Sequence, residues 1–316
     1  MPVRVIYRFL LGALLGLSGS LVYAVDFDQI TYGNQQISVE YQTSFNETER
    51  NTTHYWLQNV SRALLTIYGK LPQDHFCITI KRSSNSDSPV PWGQVIRSTP
   101  TTVLLVTNPD LGYDTLINDW TAFHELSHLF LPYRGYGDVW FSEGLATYYQ
   151  NIIQARSGLF DETMLWNKIT AGFERGRNQQ QWEASNLTEI SDNLKETRQY
   201  MRVYWSGVLY WLNTDIALRK QNKGTLDLAL KQLKACCEKH SMSARDIAYK
   251  LDELMAVNVF VPLFNKYSKS FRIPDYQPVL TKLGVLQNNW PGNITLDNSA
   301  PLADIRKQIY GRQAHS

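Results

Sequence analysis

Cysteine is scarce. The 316 residues hold 3, at Cys77 and the adjacent pair Cys236 and Cys237. That is too few for a disulfide scaffold, and the spacing suits no zinc knuckle. A bridge from Cys77 to either partner, a vicinal bridge and buried free thiols all stay open. Net charge is nearly absent too, with 31 Lys plus Arg against 29 Asp plus Glu. No basic surplus exists to neutralise phosphates, which excludes a nucleic-acid binder working by bulk charge. At 43% hydrophobic the chain is too apolar for a disordered, solvating role. There is no internal repeat and no low-complexity tract. What is plentiful is aromatic surface, 9 Trp and 18 Tyr, enough to fill a large core and line a cleft.

The one long hydrophobic run stands at the start. Arg4 and Arg8 precede an apolar run over 9–17 and a weaker apolar stretch to Ala24. Val22 and Ala24 occupy the small-residue positions that a signal peptidase reads. Residues 1–24 therefore read as a signal peptide cleaved before Val25, and the mature chain as secreted or periplasmic. The other reading is an uncleaved anchor, since 9–25 just reaches spanning length. No Cys follows the run, so a bacterial-type lipid anchor is not expected. Arg4 and Arg8 are the leader's only charges, so residues 25–316 carry 29 basic and 29 acidic groups. A formally neutral mature chain speaks against a nucleic-acid or membrane-surface partner. Five Asn-x-Ser/Thr sequons (Asn46, Asn51, Asn59, Asn186, Asn293) carry meaning only in a eukaryotic secretory pathway.

Periodicity divides the rest. Residues 28–42 alternate loosely and read as extended. Trp56, Val60, Ala63, Leu64 and Tyr68 recur at helical spacing over 47–68, with Gly69 as a stop. Strands are expected over 76–80, 93–98 and 103–107. Helices follow over 114–131, stopped by Pro132, and over 139–155, closed by Gly158. Further helices are expected over 161–173, 197–219, 226–237, 243–255 and 259–267, and a short one over 274–284. The polar segment 175–196 reads as a surface loop, no strand is expected after Gly158, and the last residues read as loose. The fold class is α+β: a sheet-and-helix lobe over 25–135, then a helical lobe over 136–316. A site at their junction would lie in the cleft between them.

That junction carries His124-Glu125-Leu126-Ser127-His128. On a helix, two His four residues apart share one face and can reach one metal ion, while Glu125 points aside toward a water. Zinc suits such neutral nitrogen ligands in a tetrahedral site with one open position. Fifteen residues after His128, Glu143 opens the run Glu143-Gly144-Leu145-Ala146-Thr147-Tyr148-Tyr149. Its carboxylate would complete a His-His-Glu set for one zinc per chain. A closed structural zinc site would need Cys ligands, and these lie elsewhere. Thr147, one turn after Glu143, either orients a ligand or only packs.

The runs HELSH and WFSEGLATYY, then Tyr204-Trp205-Ser206-Gly207, resemble the gluzincin peptidases. They are most similar to the glycyl aminopeptidase family and more distantly to the aminopeptidase N family. The resemblance covers most of 45–285, through Ile273-Pro274-Asp275-Tyr276 and Leu283-Gly284. It implies a thermolysin-like, two-lobed zinc peptidase unit with a peptide or protein substrate. His124, His128 and Glu143 would then be the zinc ligands, Glu125 the general base, and Tyr204 the hydrogen-bond donor to the oxyanion. From the residues alone, Tyr204 reads equally as a core tyrosine among Tyr200, Trp205 and Tyr210. The His128 to Glu143 interval is shorter than in the aminopeptidase N family. No stretch reads as that family's large N-terminal β-domain or as the glycyl group's terminal peptide-binding module. The strand over 93–98 sits where aminopeptidase N relatives keep a Glu for the substrate's amine, and Gln94 is its nearest polar substitute. Aminopeptidase and endopeptidase action therefore both stay open. Two other classes remain beside a secreted zinc metallopeptidase. One is a zinc-holding protein that captures peptides without cutting; the other is a membrane-tethered interaction protein.

Overall fold

Local signals already fix the first helix. Asn46 and Glu49 close a capping box, each side chain accepting the other's backbone N–H, at 3.0 and 2.9 Å. Helix α1 (Glu47–Tyr68) buries Trp56, Val60 and Leu64 along one stripe and ends at Gly69, φ 77°. The computed structural model describes residues 28–83, 87–132, 137–179, 181, 183–288 and 293–311. The expected leader over 1–24 lies outside the described residues. Among those described, no helix is long and apolar enough to cross a membrane.

Five strands form one mixed sheet. The extended stretch at the start is a hairpin of β1 (Asp28–Tyr32) and β2 (Gln35–Tyr41). It continues through β3 (His75–Arg82), β4 (Trp92–Ile96) and β5 (Thr102–Thr107), in the spatial order β1-β2-β3-β5-β4. β2, β3 and β5 run parallel, and β4 lies antiparallel to β5 at the edge. Ile37, Val39, Phe76, Ile78, Ile80, Val103 and Leu105 bury their side chains beneath α1 and its neighbours. β4 keeps its outer edge unpaired among the described residues.

The segment expected as one helix over 114–131 is divided. Helix α2 (Gly112–Asn118) ends at Asp119, whose backbone is extended and whose carboxylate accepts the Thr121 N–H at 2.7 Å. Helix α3 (Thr121–Ser127) starts afresh there and passes into a 3-10 turn at His128–Phe130. An Asx-type bond offers the backbone an alternative to continuing a helix, which is why the break needs no Pro or Gly.

Beyond α3 come α4 (Val139–Arg156) and α5 (Glu162–Asn178). The polar segment 175–196 is largely helical rather than looped. α5 runs on to Asn178, and α6 (Leu187–Asp192) and α7 (Leu194–Thr197) follow. Asn186 and Glu189 form a second capping box, so α6 had its own start signal. α6 also holds the start of α4: Ser191 Oγ accepts the Trp140 N–H and Asp192 the Asp138 N–H, each at 2.9 Å. Helices α8 (Tyr200–Lys220), α9 (Leu226–Cys237), α10 (Ala244–Met255), α11 (Phe260–Ser268) and α12 (Gln277–Leu283) follow the expected pattern to within a few residues.

Two expectations about the end of the chain are corrected. Strands do occur after Gly158: β6 (Val285–Gln287) and β7 (Ile294–Leu296) form a hairpin too short to show alternation. Nor is the whole stretch after 284 loose: 312–316 lie outside the described residues, but residues 303–310 form α13 (Ala303–Tyr310). Its Arg306 is 0% exposed and donates to the carbonyls of Leu283 and Asp297 at 3.1 and 3.0 Å, and to Glu162 at 2.8 Å. Cys236 and Cys237 are joined in a vicinal disulfide, and Cys77 is a free thiol.

Candidate active site

Two glycines set how α4 and α8 cross. A Cβ on Gly144 would overlap the backbone of Gly207, and one on Gly207 would overlap the Trp140 carbonyl. The helices therefore touch backbone to backbone. Glu143 immediately precedes the contact on α4, and Tyr204 lies one turn before it on α8. The crossing brings the two side chains together, close enough that, on top of burial, the Glu143 carboxylate raises the Tyr204 hydroxyl's pKa. Gly93 plays a similar part on the opposite wall, since the Glu125 side chain fills the space its Cβ would need. β4 can thus lie directly on α3.

Between these walls lies a cleft of about 800 Å³, lined by β4, His124, Glu125, His128, Glu143 and Tyr204. The structure brings all five expected site residues to one place. Ligand atoms of His124, His128 and Glu143 lie within 4.8 Å of one another. Glu143 Oε2 is 3.1 Å from His124 Nε2 and 3.6 Å from His128 Nε2. His128 begins the 3-10 turn rather than ending the helix, yet its ring still reaches the set. Its carbonyl accepts an Arg97 guanidinium N–H at 2.8 Å, which ties the turn to the end of the edge strand.

The donor chemistry fits a metal ion. His124 Nδ1 donates to Gln150 Oε1 at 2.8 Å. With Nδ1 engaged there, Nε2 faces the Glu143 carboxylate, and in the neutral ring a cation between the two would satisfy both as ligands. Burial opposes charge on His124, but Glu143 outweighs it and holds the imidazole above its ordinary pKa. Burial likewise pushes Glu143 up, yet His128 and His124 keep it well below the usual carboxylate range. Burial raises Glu125 above that range, while both imidazoles pull it back. Burial and then Glu143 raise Tyr204, which keeps its hydroxyl protonated as a donor. Its ring stacks on His124 with centroids 5.8 Å apart.

Gln150 went unnoticed in the sequence, although it follows Glu143 by two turns on the same helix face. The Thr147 hydroxyl is buried with no hydrogen-bond partner among the described residues. Gln94 lies on β4 along the cleft.

Residues 134–222 match the M61 glycyl aminopeptidase family, a stretch that includes Glu143 and Tyr204. An aminopeptidase N family protein from Idiomarina loihiensis shares 18% identity at a TM-score of 0.58, over 82% of this chain and 49% of its own. The M1 zinc metallopeptidase from Deinococcus radiodurans aligns at TM-score 0.50 and 13% identity, over 78% of this chain and 52% of its own. The chain shares the fold of these structures. It spans about half the length of the structures it resembles. No curated protein sequence matches it.

Proposed function

We propose that this chain is a secreted, zinc-dependent peptidase that binds one zinc ion through His124, His128 and Glu143. The observation that carries the reading is the convergence of the His124, His128 and Glu143 ligand atoms beside Glu125 in an open cleft. Bound zinc would polarise the scissile carbonyl and lower the pKa of the attacking water. Glu125 accepts that water's proton and delivers it to the leaving amine, a task its raised pKa suits. Tyr204 donates to the developing oxyanion from a position fixed by the glycine crossing. The free edge of β4 offers backbone donors and acceptors to an extended peptide. A variant of the Deinococcus enzyme was solved with a Tyr-Ser-Ala substrate, which supports peptides as the substrate class. Export rests on the 1–24 leader, and a mature N-terminus at Val25 by mass spectrometry would bear it out.

The test measures zinc content and peptide hydrolysis together. Wild type should carry one zinc per chain and cleave peptides. Glu125→Gln should keep the zinc and lose activity by about 10²–10⁴-fold. Glu143→Ala should lose the zinc. A wild type that holds zinc yet cleaves nothing across a broad peptide library would replace this reading with a zinc-holding binding protein.

A further inference from the structure

Tyr204 also lines a second pocket, of about 340 Å³, whose lining includes Lys168 and Arg175 and no carboxylate. The two cations stand two turns apart on one face of α5. Arg175 lies over the Trp205 indole, 5.2 Å from its centroid, and Lys168 over the Phe160 ring at 4.6 Å. Both remain open to solvent on one side. Neither side chain has an ion pair or hydrogen bond among the described residues.

That is unlike the chain's other well-placed cations. Arg156 pairs with Asp227, Arg219 with Asp215 and Arg306 with Glu162. Burial and the nearby Arg175 both lower the Lys168 pKa, so the pair is held together with nothing to offset its repulsion. A third donor points the same way. Gln154 lines the pocket, is 1% exposed, and its amide nitrogen has no partner. Buried donors without partners are uncommon in folded proteins, and a bound acceptor would satisfy this one.

We propose that this pocket is a subsite for a carboxylate of the peptide substrate. Lys168 and Arg175 supply the charge, the Arg fork can grip two oxygens, and Gln154 adds a neutral donor. Because Tyr204 lines both spaces, a peptide crossing the cleft reaches the pocket close to its scissile bond. The carboxylate is either an acidic side chain or a free C-terminus. The inference rests on the peptidase reading and names the substrate that reading leaves open.

Four peptides test it: one sequence with Glu or Gln flanking the cleaved bond, each with a free or amidated C-terminus. Wild type should favour the carboxylate-bearing member of at least one pair by about ten-fold or more in kcat/KM. The Glu/Gln contrast reports a side chain, and the acid/amide contrast a terminus. Lys168→Gln and Arg175→Gln should each erode that preference, and Lys168→Glu should move it toward a Lys-bearing peptide. Thermal melts accompany each variant, and two independent sites keep one misfolded variant from deciding the matter. Binding is read separately by calorimetry on zinc-loaded Glu125→Gln, with and without Lys168→Gln. If wild type cleaves none of the peptides, the peptidase reading fails while calorimetry still judges the pocket. Equal rates and equal affinities for carboxylate and neutral peptides would overturn the subsite. So would a preference that survives both neutralising substitutions.

Discussion

The wall formed by α4 and α8 meets backbone to backbone at Gly144 and Gly207, whereas the wall formed by β4 leaves one backbone edge unpaired among the described residues. The first holds Glu143 and Tyr204 with no slack, in a stretch of buried aromatics that includes Trp140, Phe141, Tyr210 and Trp211. The second touches α3 through Gly93 and Glu125 and offers its remaining groups to whatever lies in the cleft. One wall suits fixed charges that must not relax as a reaction proceeds. The other suits a partner that comes and goes. Substitutions on the closed wall should therefore damage the chemistry, and side-chain changes on the open wall, Gly93 apart, should hardly register.

Tyr204→Phe should strike hardest among these. Loss of a fixed oxyanion donor lowers kcat by about 10²–10³-fold while zinc content stays at wild-type level. Steady-state kinetics beside metal analysis would separate the two, and an unchanged kcat would remove the proposed role. Gly207→Ala comes next. Forcing a methyl into the crossing should cost about 1–3 kcal/mol and lower Tm by several degrees, with zinc affinity and turnover falling together. A normal melt with normal activity would show that the crossing is looser than it looks. Gln150→Leu removes the hydrogen bond that fixes the His124 tautomer and should weaken zinc by about 10–100-fold in a chelator competition. Gln94→Ala, on the open wall, should change stability by no more than about 0.5 kcal/mol and KM little, since β4 would act through its backbone. A large rise in KM for peptides with a free amine would instead make Gln94 the amine anchor.

How much of this was legible depends on range. His124, Glu125 and His128 share one helical turn, and Glu143 opens the next long helix, so their convergence follows from local periodicity. The Tyr204 position does not. It requires α8 to cross α4, and periodicity says nothing about which helices touch; only the resemblance singled it out. The division at Asp119 was hidden because an Asx-type bond leaves the apolar spacing intact. α6 was missed despite a legible signal, the pair Asn186 and Glu189. β6 and β7, three residues each, are too short for alternation to register. The Cys236–Cys237 bridge could not be chosen over its alternatives, since connectivity is not written in spacing. α13 read as loose chain because its Arg306 is buried, the opposite of what a charge usually signals.

That last helix gives the molecule an order of failure. Arg306 clasps Glu162 at the first turn of α5, the helix that carries Lys168 and Arg175 farther along. Exopeptidase trimming that stopped at Leu302 would remove the clasp and leave the Glu162 carboxylate and the carbonyls of Leu283 and Asp297 without their donor. Unfastening should begin there and spread along α5, while α4 and α8 keep the ligands in place. A nicked population would then hold its metal normally and discriminate poorly among peptides: an enzyme that ages into promiscuity before it loses activity.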